Sequence, residues 1–278
     1  MEGALQSGRF ELPGDVSSQF ITGLLLALPR LAGDSEIAVT TPLESRAYVE
    51  LTRRVQRDFG VVSEWSAGGQ TLFIPGGRAI ASPGTLHIEG DWSHAASYLT
   101  AVAIGRGEIR LTGLNPHSAQ GDRAMVEILR DMGADIRWEG DELVSRASKL
   151  HGLHVDCAQI PDLVPILAVA MAAAEGESRI TGAARLRIKE SDRLSAMAAA
   201  LTAAGADVTE WPDGLTIRGG KNLHAAAIEG CNDHRIVMAM TIASAVADGE
   251  LTITDAEATA KSAPAFWQEF EHLGGQAR

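Results

Sequence analysis

Two kinds of helical pattern alternate along the chain and recur four times. The first kind is apolar on every side, as at residues 166–171, and a helix of that kind must be surrounded by protein. The second kind has one apolar stripe and one polar face, as at residues 123–130. Short alternating segments lie between the two kinds, at residues 36–39, 108–111, 177–180 and 250–253, and they predict strands.

Fixed markers keep these patterns in phase. Four acidic residues open the all-apolar patterns at intervals of 76, 71 and 71 residues: Asp15, Asp91, Asp162 and Asp233. Four glycines close the second patterns at intervals of 73, 72 and 69 residues: Gly60, Gly133, Gly205 and Gly274. An aspartate suits the N-cap of a helix and a glycine suits its left-handed C-terminal residue. We therefore predict four βαβαββ repeats, each ending in a hairpin such as residues 214–217 running on to residues 226–228.

Repeats of this kind define the fold class that we expect. All-apolar helices have to pack together at a centre, and the strands then form sheets around them. The prediction is an α/β (α+β) protein, an inside-out α/β barrel with buried central helices and outer sheets. Only 5% of residues are aromatic, so the core is built from Ala, Val, Ile and Leu.

Charge and composition narrow the class of partner. The net charge is -12 over 278 residues, which argues against nucleic acid and against an anionic membrane surface. The longest apolar run, residues 163–174, is too short to cross a bilayer, and no signal peptide is visible. The two cysteines, Cys157 and Cys231, are predicted to be buried free thiols. We expect a cytoplasmic protein, in which a local cluster of cations holds a small anion.

Three polar clusters stand at predicted helix starts. In the third repeat, residues 185–194 carry Lys189, Glu190 and Arg193, with the last two spaced to share one helical face. In the fourth, His234 and Arg235 precede an all-apolar helix and must point out of its end. The first repeat has Ser17, Ser18 and Gln19 at the same place. Each cluster alone also fits a solvated helix start or a plain N-cap.

The repeat brings these clusters together. Ser17, Asp162 and His234 occupy one shared position in their repeats, and Ser45, Lys189 and Lys261 occupy another. Related loops should therefore converge on one rim, where four cations surround the carboxylates Asp162 and Glu190: Lys189, Arg193, Arg235 and Lys261. This combination suits an anionic substrate together with proton transfer.

Five strings carry a family resemblance: residues 14–20, 160–162, 187–194, 232–235 and 259–262. In this order they closely resemble the 5-enolpyruvylshikimate-3-phosphate synthases (3-phosphoshikimate 1-carboxyvinyltransferases), and the match runs from Leu12 to Trp267. The resemblance implies two inside-out α/β domains of three repeats each, with the active site between them. It implies transfer of the enolpyruvyl group of phosphoenolpyruvate to the 5-hydroxyl of shikimate-3-phosphate, a step of aromatic amino-acid biosynthesis, with release of phosphate.

The resemblance also implies residue roles. The residues implied to bind shikimate-3-phosphate are Ser17, Ser18, Gln19, Ser45, Asp162 and Lys189. Those implied to bind phosphoenolpyruvate are Gln19, Glu190, Arg193, His234, Arg235 and Lys261. The implied catalytic set comprises Asp162, which takes the 5-hydroxyl proton, Glu190, which handles the proton of the methylene carbon, and Lys189 and His234 beside them. No metal or organic cofactor is implied. Arg185 departs from members that have Asn there.

A larger departure concerns the family's N-terminal Lys-Ser motif and its later Asn-x-Gly-Thr segment, which have no counterpart in this sequence. The resemblance implies that residues 1–88 are the last repeat of an otherwise missing N-terminal domain, and that residues 89–278 form a three-repeat C-terminal domain. An isolated all-apolar helix at residues 16–28 would expose apolar surface to water, at a free-energy cost of about 25 cal/mol per Å². We therefore expect self-association, or docking of a missing N-terminal segment.

Three other functions stay open at this point. One is the related UDP-N-acetylglucosamine enolpyruvyl transferase, and another is a non-catalytic fragment or one half of a split synthase. The third is a module that binds a phosphorylated ligand without turnover. Phosphate release from shikimate-3-phosphate and phosphoenolpyruvate would discriminate among them.

Overall fold

The computed structural model of the chain describes residues 3–278. The chain forms two compact units, and each has its own core. Unit 1 lies within the residues up to Ile88, together with Ala119–Gly121. Unit 2 comprises Glu89–Ser118 and Asp122–Arg278.

Unit 1 contains one repeat with a four-stranded sheet. Its elements in chain order are β1 (Arg9–Leu12), α1 (Ser18–Ala27), β2 (Ser35–Val39), α2 (Arg46–Asp58), β3 (Glu64–Trp65) and β4 (Thr71–Ile74). The strand order is β1-β2-β4-β3, in which β1 and β2 are parallel and the other pairs are antiparallel. Ile21 and Leu25 of α1 pack with Ile37 and Leu72 of the sheet to make its small core.

Helix α1 is buried on one side only. Phe20 and Leu26 are each 56% exposed, whereas Ile21 and Leu25 are fully buried. Its N-cap is Ser17, whose hydroxyl accepts a hydrogen bond from the amide of Gln19. The prediction that Asp15 caps this helix is therefore wrong, because the helix begins three residues later. Asp15 instead accepts a hydrogen bond from the hydroxyl of Thr41, at 2.7 Å.

Unit 2 contains three repeats. Its helices are α3 (Trp92–Ile104), α4 (Ala124–Asp131), α5 (Val164–Ala173), α6 (Arg193–Ala203), α7 (His234–Ala243) and α8 (Phe266–His272). Its strands are β5 (Glu108–Leu111), β6 (Asp135–Glu139), β7 (Glu142–Arg146), β8 (His154–Asp156), β9 (Gly176–Thr181), β10 (Asp207–Trp211), β11 (Gly214–Gly219), β12 (Leu223–Ile228) and β13 (Ala247–Ile253).

Three helices form the centre of unit 2. α3, α5 and α7 contact one another, and residues 164–172 of α5 are buried without interruption. The second helices are amphipathic as predicted: α4 buries Met125 and Leu129 and exposes Glu127. Buried helices at the centre therefore follow from the all-apolar sequence pattern.

Three open sheets flank these helices, with strand orders β5-β7-β6, β10-β11-β9-β8 and β12-β13. β8 pairs with β9 in parallel, and β12 pairs with β13 in the same way. Over residues 3–278 none of the sheets closes on itself, so the outer layer is a set of separate sheets rather than a closed barrel.

Several element predictions need correction. The predicted hairpin from residues 214–217 to residues 226–228 is wrong, because β11 pairs antiparallel with β10, whereas residues 226–228 belong to β12 of the next repeat. Asp91 and Asp233 are N-caps as predicted. Asp162 is not a cap, because it lies within the 3₁₀ helix Pro161–Leu163 ahead of α5.

The predictions for the closing glycines are confirmed, whereas only one of the two cysteines is buried as predicted. The glycines at the ends of the second helices all have positive φ, from 85° at Gly60 to 103° at Gly133, as a left-handed helix end requires. Cys157 is a buried free thiol, as predicted. Cys231 is also free but exposed, so the prediction that it is buried is wrong.

Candidate functional site

A cluster of charged side chains lies at the N-terminal ends of the central helices of unit 2, and Arg193 lies at the centre of this cluster. Arg193 is the first residue of α6 and is only 1% exposed. Its Nε donates to Asp233 Oδ2 at 2.8 Å and its Nη2 donates to Asp233 Oδ1 at 3.2 Å. Its Nη1 donates to Asp162 Oδ1 at 3.1 Å, and its Nη2 also donates to Glu190 Oε2 at 2.8 Å. One guanidinium therefore joins three carboxylates.

Asp162 also contacts a second arginine. Its Oδ2 accepts a hydrogen bond from Nη2 of Arg235 at 3.3 Å, and the same Nη2 lies 3.3 Å from the hydroxyl of Ser93 in α3. Ser93 in turn donates to the carboxylate of Asp122. Asp122 is buried, and its burial raises the pKa of its carboxyl. The ends of α3, α6 and α7 and the 3₁₀ helix ahead of α5 thus meet at these contacts.

Glu190 is held between two cations. Its Oε1 accepts a hydrogen bond from Nζ of Lys261, and its Oε2 accepts one from Arg193. Burial raises the pKa of Glu190, but the hydrogen bond from Lys261 and the positive charges outweigh it, so the pKa falls to about 2. Glu190 is therefore a carboxylate at neutral pH while Lys261 is beside it. The prediction that Glu190 and Arg193 share one helical face is wrong, since α6 begins only at Arg193 itself.

Lys189 and His234 complete the cluster. Burial lowers the pKa of the Lys189 ammonium, and the negative charge of Asp162 opposes that shift only in part. Burial also lowers the pKa of His234, and the nearby positive charge of Arg235 lowers it further. His234 is therefore neutral at neutral pH, and its Nδ1 lies 3.6 Å from Asp233 Oδ1.

Seven of the predicted site residues thus occupy one cluster within unit 2: Asp162, Lys189, Glu190, Arg193, His234, Arg235 and Lys261. The others lie in unit 1, at the start of α1 (Ser17, Ser18, Gln19) and immediately before α2 (Ser45). Within unit 1 the two loops are tied together, because the amide of Glu44 donates to the carbonyl oxygen of Gly14 at 3.1 Å. Ser45 itself has φ of 52° and is buried.

Sequence reasoning missed three members of the cluster: Asp233, Ser93 and Asp122. Asp233 was interpreted as an N-cap, which it is, since it accepts a hydrogen bond from the amide of Arg235 at 3.0 Å. Asp233 is also fully buried against Arg193. The hydrogen bond from Arg193 outweighs the effect of burial, so the pKa of Asp233 is lowered. The sequence signal that could have identified Asp233 is the repeat, which places Asp91 and Asp233 at equivalent helix starts.

Among residues 3–278, no group of three or more His, Cys, Asp or Glu side chains is arranged to hold a metal ion. In the same part of the chain, no helix is both long and apolar enough to cross a membrane. Proton transfer and charge compensation are the chemistry that the cluster offers.

Comparison with known proteins shows the family of the chain. The family model for EPSP synthase (3-phosphoshikimate 1-carboxyvinyltransferase) matches residues 1–270. The chain belongs to the EPSP synthase family. A 3-phosphoshikimate 1-carboxyvinyltransferase of Clostridium acetobutylicum is 45% identical over 276 residues, which are 99% of this chain and 63% of that relative. One of Natronomonas pharaonis is 41% identical over 285 residues, covering 98% of this chain and 65% of that relative.

Solved structures confirm the fold class. EPSP synthase of Acinetobacter baumannii has a TM-score of 0.80 at 30% identity, with 98% of this chain and 63% of that one covered. The enolpyruvyl transferase NikO of Streptomyces tendae has a TM-score of 0.77 at 19% identity, with 99% and 65% covered, and it shows the shared fold alone. The chain therefore spans a little under two thirds of the length of these proteins.

Proposed function

We propose that this chain takes part in the transfer of the enolpyruvyl group of phosphoenolpyruvate to the 5-hydroxyl of shikimate-3-phosphate. The observation that supports it is the paired arrangement of two carboxylates with cations at the rim of unit 2. Asp162 lies between Arg193 and Arg235, and Glu190 lies between Arg193 and Lys261. Such a set supplies a base, an acid and charge compensation, which the reaction requires.

The proposed reaction is an addition to C2 of phosphoenolpyruvate followed by loss of phosphate from C2. The 5-hydroxyl oxygen bonds to C2 of phosphoenolpyruvate while Asp162 takes the hydroxyl proton, and C3 takes a proton from Glu190. The C2–O bond to phosphate then breaks and the leaving phosphate takes the proton from Asp162. A proton returns from C3 to Glu190, which restores the double bond. The products are the enol ether and inorganic phosphate, with both carboxyl groups back in their starting states.

Substrate binding would also prepare the two carboxyl groups. The pKa of Glu190 is about 2 while Lys261 donates to it, so it holds no proton in that state. An incoming phosphate or carboxylate attracts Lys261 and Arg235, and it would draw them away from Glu190 and Asp162. The pKa of Glu190 then rises, and the group takes up from solvent the proton that it gives to C3. In this proposal the internal ion pairs hold the site in place until the substrates replace them.

Unit 1 would contribute to the same reaction by binding. Ser17, Ser18, Gln19 and Ser45 are the proposed contacts for the phosphate and hydroxyl groups of shikimate-3-phosphate, together with Asp162 and Lys189. Gln19, His234, Arg193, Arg235 and Lys261 are the proposed contacts for phosphoenolpyruvate. The backbone amides at the start of α1 are suited to phosphate, because a helix N-terminus presents unpaired N–H groups. We propose a cytoplasmic location on the sequence pattern alone.

The domain organisation is part of the proposal. We propose that residues 1–88 are one repeat of a first domain and that residues 89–278 form the second domain. Because the chain spans 63% of the length of the Clostridium acetobutylicum relative, part of the binding surface would come from elsewhere. The exposed Phe20 and Leu26 of α1 support a partner for unit 1, either a further segment or a second copy.

The test is release of phosphate from shikimate-3-phosphate plus phosphoenolpyruvate. The assay is run first with this chain alone. It is then repeated after addition of a separate polypeptide, the part of a relative that has no counterpart in this chain. We expect Asp162→Asn and Glu190→Gln each to lower kcat by about 10²–10⁴-fold, because each removes one proton-transfer group. Glu177→Gln is the matched control, since Glu177 on β9 is half exposed and pairs with Arg218 on β11.

A second measurement separates the role of Glu190 from that of Asp162. Glu190→Gln should also suppress the exchange of the methylene hydrogens of phosphoenolpyruvate with solvent deuterium, because that exchange needs a proton to enter and leave C3. Absence of turnover under every condition would refute the proposed reaction. Turnover with UDP-N-acetylglucosamine in place of shikimate-3-phosphate would assign the chain to the related transferase activity, and binding of both substrates without turnover would indicate a binding module.

A further inference from the structure

One arginine of the charged cluster is held by two different groups at the same nitrogen atom. Nη2 of Arg235, in the first turn of α7, donates to Asp162 Oδ2 and to the hydroxyl of Ser93 in α3, each at 3.3 Å. Asp162 takes part in the proposed reaction as a proton acceptor, whereas Ser93 has no step in it. The proposed reaction alone therefore gives no reason for the contact between Arg235 and Ser93.

The hydroxyl of Ser93 can reach other side chains because a different residue caps its helix. Asp91 accepts hydrogen bonds from the amides of Ser93 and His94, at 2.8 and 3.2 Å. In α1 the serine at the corresponding position, two residues after the aspartate of the repeat, is Ser17. Ser17 is itself the N-cap, and its hydroxyl accepts from the amide of Gln19. The same position of the repeat therefore caps the helix in α1 and contacts side chains in α3.

Asp122 fixes the direction in which the hydroxyl of Ser93 points. Ser93 Oγ donates its hydrogen to Asp122 Oδ2. Because a hydroxyl group has a single hydrogen, the oxygen of Ser93 is left to accept the hydrogen bond from Nη2 of Arg235. The three side chains thus form a series from carboxylate through hydroxyl to guanidinium, in which each hydrogen bond polarises the next.

Asp122 and Asp162 differ in their access to solvent. Asp122 lies in the 3₁₀ turn Gly121–Arg123 ahead of α4 and is only 2% exposed, whereas 21% of the side chain of Asp162 is exposed. Burial raises the pKa of the Asp122 carboxyl, and the positive charge of Arg235 is the largest influence that opposes this shift. An anion that arrives from solvent can therefore replace Asp162 beside Arg235, but it does not reach Asp122.

We propose that Ser93 and Asp122 are positioning residues, which hold the guanidinium of Arg235 in place when an anionic substrate replaces Asp162. The inference rests on the proposed function, in which Arg235 binds phosphoenolpyruvate. An arginine released from Asp162 would otherwise sample several rotamers, and ordering it again would weaken binding. With Nη2 still bonded to Ser93, the other N–H groups of Arg235 remain available to the ligand. Neither positioning residue exchanges a proton with the substrates, so their loss should affect binding and not the chemical step.

A second serine of unit 2 provides a matched control. Ser195 Oγ accepts a hydrogen bond from Nη1 of Arg187 at 3.3 Å and donates one to Glu210 Oε1 at 2.8 Å. This arrangement of arginine, hydroxyl and carboxylate resembles the one at Ser93, and both serines are half-buried. Arg187 is not among the proposed substrate contacts. Ser195→Ala therefore removes a comparable contact, and a loss of binding confined to Ser93→Ala is due to the position of Arg235.

Steady-state kinetics of phosphate release by the full chain separates binding from chemistry. Ser93→Ala and Asp122→Asn should each raise KM for phosphoenolpyruvate about tenfold and change kcat by less than about twofold, because each weakens a hydrogen bond to a charged group that binds the ligand. The double variant should raise KM little more than either single variant, since both act through one hydroxyl. Ser93→Thr keeps the hydroxyl and should keep the KM of the parent, as should Ser195→Ala. A lower kcat with unchanged KM, or equal effects of Ser93→Ala and Ser195→Ala, would overturn the proposal.

Chemical modification of arginine tests the same contact without turnover. Phenylglyoxal reacts with accessible guanidinium groups, and peptide mass spectrometry gives the rate at each arginine. Ser93→Ala should speed the reaction of Arg235 at least about threefold and leave that of Arg187 unchanged, because only Arg235 loses a restraining hydrogen bond. Ser195→Ala should have the opposite selectivity. Unchanged reactivity of Arg235 in Ser93→Ala would overturn the proposal. If the parent chain released no phosphate under any condition, the proposed reaction would be refuted, whereas the selective change at Arg235 would still support its positioning by Ser93.

Discussion

Arg193 shows why an arginine is needed at the middle of the charged cluster. It is buried and bonds to Asp162, Glu190 and Asp233 through three different nitrogen atoms. The planar guanidinium presents its N–H groups in a fixed fork, so it can meet three carboxylates that approach from different segments of the chain. A lysine ammonium is a point charge and could not span the same set. The bidentate contact with Asp233 also ties the start of α6 to the start of α7.

The buried pair of Arg193 and Asp233 leads to a stability prediction. Asp233→Asn should lower the free energy of unfolding of unit 2 by about 3 kcal/mol, because it leaves a buried guanidinium with less compensating charge. Urea unfolding followed by circular dichroism measures this change.

The control for that substitution is Asp207→Asn. Asp207 lies 3.6 Å from Arg218, and both side chains are about half exposed, so its loss should change the free energy by less than about 0.5 kcal/mol. Equal effects of the two substitutions would show that Arg193 gains no stabilisation from Asp233.

The sequence predicted most of the cluster residues but not their contacts. Lys189, Glu190 and Arg193 could be found because six charged side chains stand close together in an otherwise apolar repeat. Asp122 could not be found in this way, because it stands in a polar loop ahead of α4 and its burial depends on α3 and α7. Burial of a carboxylate is decided by tertiary packing, which local residue patterns do not encode.

At the scale of elements, tight hairpins set the ends of the strands. β10 and β11 are joined by two residues, and Gly214 opens β11 opposite Trp211. A Cβ atom at Gly214 would overlap the carbonyl oxygen of Ile180 in the neighbouring strand β9. Glycine is therefore required here by the close approach of two backbones, and not by a positive φ.

We expect Gly214→Ala to lower the free energy of unfolding by about 2 kcal/mol or more, because the added methyl group forces β9 and β11 apart. Gly68→Ala is the matched control in the hairpin loop between β3 and β4, where a Cβ would meet no atom within 4 Å. Urea unfolding of the two variants and the parent gives the comparison. A larger loss for Gly68→Ala than for Gly214→Ala would contradict this account.

Elements differ in how far their sequences determine them. The all-apolar pattern of α5 predicted both a helix and its burial on every side, since no other environment suits it. The alternating pattern at residues 226–228 predicted a strand but gave it the wrong partner. Alternation indicates that a segment has two faces, whereas its neighbour depends on the path of the chain through the whole unit. The strand pairs were therefore beyond the reach of the sequence.

At the scale of the whole unit, the charged cluster makes stability depend on pH. The pKa of Glu190 is about 2 and that of Asp233 is also below its ordinary value, so both carboxyl groups bind protons more readily when unfolded. Their stabilisation is complete above the ordinary carboxyl range and is lost as the pH falls from about 4.5 toward 2. Asp122 acts in the opposite direction, because burial raises its pKa and protonation relieves the burial of its charge.

The test compares the parent chain with Glu190→Gln between pH 6 and pH 3. The variant should be less stable than the parent at pH 6, and the difference should shrink as the pH falls, because the parent then loses the charge that the variant never had. Urea midpoints from tryptophan fluorescence measure unit 2, which contains four of the five tryptophans. A difference that is constant or grows in acid would contradict the lowered pKa of Glu190.

The contact between the first and last helices of unit 2 has a consequence for the order in which the chain assembles. Glu269 of α8 accepts hydrogen bonds from Tyr98 at 2.7 Å and meets Nε2 of His94 at 2.6 Å, across 171 and 175 residues. On the ribosome, Tyr98 of α3 is made 171 residues before Glu269 of α8, so the side chain of Tyr98 lacks this partner until α8 has been made. Contacts of such long range also form late and slowly in refolding. The core of unit 2 therefore stays incomplete in the nascent chain until α8 has been made.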